Sequence, residues 1–185
     1  LTSRQFLLLF MMMFNGVFFG IFIAGNYKII NLENLSDKVL TFAGAIGAIG
    51  NALARIVCSS LQDKYGFKRI YGPILYIQIV TCLMMYYFRE SSIFYSLFVF
   101  LAFFAEGAHF AMFPTVAVNI FGVENGGQIF TYMFFCVPLS AIASGVVVSY
   151  QEAIGVDSIF YLAGFLTLIN MILLPYLKEQ ELVPK

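Results

Sequence analysis

The sequence predicts an all-α membrane protein that crosses the bilayer about six times as helices. Of its residues, 61% are hydrophobic and only 11% are charged, and the mean hydropathy is +0.89. A soluble domain carries roughly 25% charged residues, so this chain has too few charges to cover a water-facing surface. The apolar excess must face lipid or other membrane protein, and the lipid bilayer is therefore the first expected partner.

Six long stretches with few or no charges define the predicted spans. A helix needs about 20 apolar residues to cross roughly 30 Å of hydrocarbon. Strands of a membrane barrel are about ten residues long and alternate apolar with polar residues, which these stretches do not. We therefore expect helices. The predicted spans are 5–25, 39–59, 70–88, 93–117, 129–149 and 159–176.

The connections are short, which predicts a single six-helix transmembrane domain over residues 1–185. An even number of spans places both ends on one side of the membrane. Cations favour the cytoplasmic side, so the termini are predicted to face the cytoplasm or a mitochondrial matrix. Plasma membrane and mitochondrial inner membrane both stay open, and a first residue other than Met indicates a fragment or a processed product. The cations predicted beside the termini are Arg4, Lys64, Lys68, Arg69, Lys178 and Lys185, and those opposite are Lys28, Lys38 and Arg89.

Small residues are concentrated in the first two spans. Gly16 and Gly20 form a GxxxG pair, and residues 43–52 are mostly Ala and Gly. Such surfaces allow helix backbones to approach closely, because lipid offers little hydrophobic drive for association. We expect tight helix packing there, and the alternative is a helix that lines a path and slides against its neighbours.

Two charged residues fall inside predicted spans. A central arginine costs roughly 2.5–3.5 kcal/mol on insertion scales. Arg55 lies about one turn inside the end of the second span, where it could reach the interface or face a cavity and pair with a carboxylate. Glu106 lies deep in the fourth span and shares a helix face with His109. This pair predicts a proton relay or an ionic partner for Arg55, and the alternative is a protonated, structural Glu106.

Other functional classes find no support in the sequence. There is no basic tract for nucleic acid, no Cys/His cluster with metal spacing, and no nucleophile, phosphate or cofactor motif. We therefore expect no metal, no cofactor, no nucleic-acid partner and no enzymatic activity. Asn51 and Tyr132 are weaker candidates for polar groups that line a path, since single polar residues commonly join helices by hydrogen bonds.

The stretch 63–69, Asp-Lys-Tyr-Gly-Phe-Lys-Arg, ends the second span and enters the third. Its glycine allows a tight reversal. Its charges predict a latch between two adjacent helices that can be made or broken, or simply a positive loop. The latch residues are Asp63, Lys64, Gly66, Lys68 and Arg69.

The same stretch resembles the signature of the major facilitator superfamily, G-x-x-x-D-[RK]-x-G-x-[RK]-[RK]. The latch residues match it, whereas Ser59 stands where the pattern has its first Gly. The signature occurs between helices two and three of the family and, in weaker form, between helices eight and nine. The resemblance implies that this chain corresponds to helices seven to twelve, half of a major-facilitator-type bundle.

A finer resemblance is to the oxalate/formate antiporter and monocarboxylate transporter branches. These relatives carry an arginine eight residues before the loop aspartate, as Arg55 stands to Asp63, and use it to bind the substrate carboxylate. Asn51 stands where monocarboxylate transporters have an aspartate, which puts proton coupling at that position in doubt. The stretch 107–127 also resembles their tenth and eleventh helices. The fifth span lacks the lysine of the oxalate carriers, so a dicarboxylate is disfavoured.

The resemblance implies the C-terminal half of a secondary transporter for a small organic anion, working by alternating access with an N-terminal six-helix half. Arg55, Asn51, Glu106, His109 and Tyr132 are its expected binding residues. An alternative is a half-carrier retained as a non-transporting subunit of a larger membrane complex, for example in the mitochondrial inner membrane. A channel or a homodimeric carrier is a third possibility.

Overall fold

The computed structural model describes residues 3–178, and their regular structure is helical, which confirms the predicted all-α class. Lys185, one of the cations predicted beside the termini, lies outside the described residues. The helices are α1 (Arg4–Ile30), α2 (Asp37–Tyr65), α3 (Phe67–Met84), α4 (Ser92–Phe121), α5 (Val123–Phe134), α6 (Cys136–Ser149), α7 (Gln151–Ile154) and α8 (Val156–Leu173), followed by a 3₁₀ turn, Leu174–Tyr176.

Among the described residues, 5 helical segments are long and apolar enough to cross a membrane. They comprise α1, α2, α4, the pair α5–α6 taken together, and α8 with the turn that follows it. The predicted third span, 70–88, is helical only as far as Met84, and α3, which has 18 residues, begins earlier, at Phe67. Lys68 and Arg69 then fall in its first turn, and α3 is not among the five.

Single glycines separate three pairs of consecutive helices. Gly66, Gly122 and Gly155 have φ angles of 86°, 83° and 80°, in the region that favours glycine. A helix can therefore end at one residue and the next can begin at the following one. As a result, the predicted loops 60–69 and 118–128 shrink to one residue each, and α2 continues to Tyr65 instead of ending near residue 59.

The predicted fifth span is interrupted at Phe135, between α5 and α6. Pro138 has no N–H group to donate to the carbonyl of Phe134, four residues earlier, which removes one helical hydrogen bond at this point. The chain nevertheless continues in nearly the same direction, because Phe135 keeps helical angles of φ −60° and ψ −18°. The span is therefore distorted but not ended.

Helices α2 and α4 pack along each other in the same direction, and α1 runs antiparallel to both. The small residues predicted to allow close packing lie at these contacts. Cβ atoms built on Gly47 would lie 3.1–3.3 Å from Val99 and Phe103, and one on Gly50 would lie 2.9 Å from the carbonyl oxygen of Phe100. The predicted tight packing of the glycine-rich second span is thus confirmed.

Buried amides and hydroxyls join α1 to α3 and α8. Asn15 Nδ2 donates to Asn170 Oδ1 at 3.1 Å, and Asn170 Nδ2 donates to the carbonyl of Met12 at 2.7 Å. Gln78 Nε2 donates to Thr167 Oγ1 at 2.9 Å. In the membrane such bonds satisfy groups that lipid cannot. They tie α3 and α8 to one side of α1, whereas α2 and α4 lie on another.

Candidate functional site

Two polar side chains face each other at the middle of the bundle. Asn51 is the central residue of α2, which runs from Asp37 to Tyr65, and Glu106 is one of the two central residues of α4. Because α2 and α4 run in the same direction in close contact, their midpoints lie side by side. In a spanning helix the midpoint falls near the bilayer centre, where polar groups are costly and commonly functional.

A chain of hydrogen bonds connects Arg55 to Glu106 through Asn51. Arg55 Nε donates to Asn51 Oδ1 at 3.1 Å, and Asn51 Nδ2 donates to Glu106 Oε2 at 3.3 Å. The amide thus uses its acceptor toward the cation and its donor toward the carboxyl. The structure therefore brings together three of the predicted site residues, and the amide holds the two chargeable groups apart.

Arg55 is exposed on the surface of the bundle beside α4. Its Cζ lies 5.6 Å from the centroid of the Phe110 ring, a cation–π contact. Arg55 also lies ten residues before the end of α2 (65 − 55 = 10), which is about 15 Å along the helix axis. It is thus deeper in its helix than the sequence predicted, and reaching the interface would require a longer path.

Two glycines allow the close approach around this chain of hydrogen bonds. A Cβ built on Gly107 would lie 2.9 Å from the Cα of Asn51 and would overlap its carbonyl oxygen. On the other side of α4, a Cβ built on Gly20 would lie 2.7 Å from the Cβ of Glu106. Larger residues at these positions would separate the helices, so Gly107 allows α4 to approach Asn51 and Gly20 allows α1 to approach Glu106.

His109 is separated from Glu106 in the structure, although both residues belong to α4. Its Nδ1 donates to the carbonyl of Ala105 at 2.5 Å, and its ring packs edge to face on Tyr71, with centroids 5.4 Å apart. No hydrogen bond joins His109 to Glu106 among residues 3–178. His109 is fully buried and faces α1 and α3, so the predicted direct relay between these two side chains is not formed in this conformation.

Tyr132 also lies apart from the three connected residues. Phe130 and Phe134 of α5 pair with each other, and Phe134 pairs with Phe110 of α4 at 6.1 Å. Side chains two positions apart on a helix do not share a face, so Tyr132 lies on a different face of α5 from Phe130 and Phe134. It is 41% exposed, and within residues 3–178 no hydrogen bond joins it to Arg55 or Glu106.

The predicted latch residues lie at the turn between α2 and α3. Within the part of the chain that the structure describes, no ion pair joins Asp63 to Lys64, Lys68 or Arg69. Lys68 Nζ instead donates to the carbonyl of Pro175 at 3.1 Å, in the turn that follows α8. Lys68 therefore ties α3 to the chain beyond α8, which was not predicted.

Two residues of this site were missed by the sequence reasoning. Phe110 follows Glu106 by four residues and so lies on the same helix face, a spacing that could have identified it. Gly107 is adjacent to Glu106, but its role depends on which backbone lies opposite, and the sequence alone contains no signal for that.

The arrangement can hold an anion. Within residues 3–178, the Arg55 side chain forms one hydrogen bond, from Nε to Asn51, so its two terminal nitrogens can act as a fork for two oxygens. Glu106, half-buried at the centre of α4, can carry either a negative charge or a proton. A carboxylate ligand would therefore find a cation next to a group whose charge can change.

Comparison with known proteins places the chain in a family. The chain is 25% identical over 142 residues to apicoplast pyruvate carrier 1 from Toxoplasma gondii. That match covers 72% of this chain and 25% of the relative, so the chain spans about a quarter of the relative's length. The family model of the Major Facilitator Superfamily matches residues 3–185. The match extends over nearly all of the sequence, and the chain therefore belongs to the major facilitator superfamily.

Proposed function

We propose that this chain is the C-terminal six-helix half of a secondary transporter for small organic anions, and that its substrate is a monocarboxylate. Membership in a transporter superfamily and the similarity to a protein named a pyruvate carrier support this proposal. The observation that carries it is the exposed guanidinium of Arg55, hydrogen-bonded through Asn51 to a carboxyl group at the centre of α4.

In the proposed cycle, this half rocks against an N-terminal half around a substrate near the bilayer midplane. The free fork of Arg55 binds the substrate carboxylate, and Phe110 covers one face of the guanidinium. Glu106 carries a proton or adjusts the charge of the site, with His109 and Tyr132 as further candidates. The turn with Asp63, Lys64, Gly66, Lys68 and Arg69 forms the latch that opens and closes.

The test is uptake of labelled pyruvate into proteoliposomes that contain the full product of the gene encoding this chain. Arg55→Ala is expected to lower uptake at least about tenfold, because the substrate loses its ionic partner. Arg55→Lys keeps the positive charge but loses the two-pronged guanidinium, so its uptake is expected to lie between that of wild type and that of Arg55→Ala. Arg89→Ala, at the far end of the bundle, is the matched control. Equal uptake by wild type and Arg55→Ala would exclude Arg55 from the site.

The alternative role is a non-transporting structural subunit of a larger membrane complex. Such a role requires neither an open guanidinium nor a chargeable group beside it, which is why the connected Arg55, Asn51 and Glu106 favour the carrier. Purification from native membranes separates the two roles. Recovery in fixed stoichiometry with a large complex, together with no uptake by the wild type, would support the structural subunit.

A further inference from the structure

The amide of Asn51 occupies a position where its two ends must differ. The oxygen accepts from Arg55 Nε, which is only a donor, and the nitrogen donates to Glu106 Oε2, which accepts when ionised. Neither partner could exchange places with the other. The geometry therefore requires one donor and one acceptor on the side chain at position 51 for as long as Glu106 carries the carboxylate.

A carboxylate at position 51 would change this balance. It would still accept from Arg55, but a second acceptor would then stand 3.3 Å from Glu106 Oε2, with no proton between them when both are ionised. Two like charges at that distance repel strongly where water is scarce. The site therefore favours one ionised carboxylate and one amide at these two positions of α2 and α4.

The backbones cannot easily move apart to relieve such a clash. Gly107 brings α4 against the backbone of Asn51, and Gly20 brings α1 against the Cβ of Glu106. The pair is thus enclosed by three helices, and each of its members is half-buried. Among residues 3–178, Arg55 is the only charged group next to this pair, because α1 presents Gly20 to Glu106 and His109 is turned toward Gly16 and Tyr71.

We infer that Asn51 and Glu106 form an exchangeable carboxylate–amide pair, in which Asn51 is the positioning residue that connects the charge of Glu106 to Arg55. This inference rests on the proposed function for its role in transport, but the pair itself does not depend on it. It follows that the two groups can be exchanged: while Glu106 is ionised, an aspartate at 51 lacks the donor that an amide at position 106 would supply.

The test compares three variants of the full gene product: Asn51→Asp, Glu106→Gln and the double exchange. Asn and Asp have the same shape, as do Glu and Gln, so only the charge moves from one helix to the other. In detergent, Asn51→Asp is expected to lower Tm by about 3 °C or more, and the double exchange to recover at least half of that loss. Asn51→Asp combined with Glu124→Gln, an exposed residue at the start of α5, is the control and should show no recovery.

Transport provides a second readout that a merely structural role would not change. We expect Glu106→Gln to lose the pH dependence of pyruvate uptake, and the double exchange to regain it because a carboxylate is again next to Arg55. Asn51→Asp alone should lower uptake at least about tenfold, and the double exchange should restore it to within about threefold of wild type.

The outcomes separate the two proposals. Recovery of Tm in the double exchange, with no uptake even by wild type, would support the pair and reject the monocarboxylate carrier. Uptake by wild type, with Tm losses that simply add in the double exchange, would reject the pair and leave the carrier in place.

Discussion

The Nε2 atom of His109 points at Gly16 of α1, so closely that a Cβ at position 16 would overlap the imidazole ring. Nε2 has no hydrogen-bond partner within residues 3–178, whereas the other ring nitrogen, Nδ1, donates to the carbonyl of Ala105. The imidazole ring of His109 therefore packs directly against α1, where α1 and α4 are in contact. This contact explains why a glycine, one of the GxxxG pair, stands opposite it.

Replacing Gly16 is expected to destabilise the bundle. Gly16→Ala forces the buried ring of His109 to move, and such overpacking typically costs about 1–3 kcal/mol. Thermal unfolding in detergent measures the loss. Gly25→Ala, in the same helix, is the matched control, because a Cβ at Gly25 meets no atom within 4 Å. If Gly16→Ala and Gly25→Ala unfold at the same temperature, the contact with His109 does not constrain α1.

If the chain is a monocarboxylate carrier as proposed, uptake by the wild type is expected to rise as the pH of the uptake buffer falls. Protonation of Glu106 removes a negative charge that competes with the substrate for Arg55 through Asn51. Glu106→Gln mimics the protonated group, so its uptake should stay high and flat across the pH series. An unchanged pH profile in Glu106→Gln would show that the proton is carried elsewhere, and His109→Asn would then be the next variant to measure.

The two lysines of the predicted latch are expected to behave differently. Lys68 bonds to the carbonyl of Pro175, so Lys68→Ala should lower Tm by a few degrees by loosening the chain beyond α8. Lys64 contacts the ring of its neighbour Tyr65 at 5.1 Å, so Lys64→Ala should leave Tm unchanged and alter uptake only. Tm and uptake are measured on the same preparations. Equal Tm values for both variants would count against the anchoring role of Lys68.

The buried amide of Asn170 is expected to be a major contributor to stability. Asn170→Ala removes its bonds to Asn15, Tyr71 and the carbonyl of Met12. Leaving buried polar groups without partners costs about 1–3 kcal/mol, and unfolding should occur at a correspondingly lower temperature. Asn119→Ala is the control, since no hydrogen bond of the Asn119 side chain occurs among residues 3–178. Matching Tm values for the two variants would mean that other groups or water replace the lost bonds.

The length and apolarity of the spans were predictable because a membrane imposes one simple requirement, enough apolar residues to cross it. Gly66 and the charges around it identified the turn between α2 and α3 for a similarly local reason, since a left-handed glycine ends a helix where it stands. Arg55 and Glu106 were also identifiable from sequence, because a charged residue inside an apolar stretch is conspicuous and costly.

What only the tertiary structure decided is how these groups face one another. Glu106 and His109 share a face by spacing alone, yet one turns toward Asn51 and the other toward Gly16, because different helices pack against that face. The extension of α2, which moved Arg55 away from the helix end, also depended on Gly66 leaving no loop. Hydropathy indicates whether a residue can lie in the membrane. Which side chain it contacts there depends on how helices far apart in sequence pack together. The composition of one helix does not specify which helix packs against it.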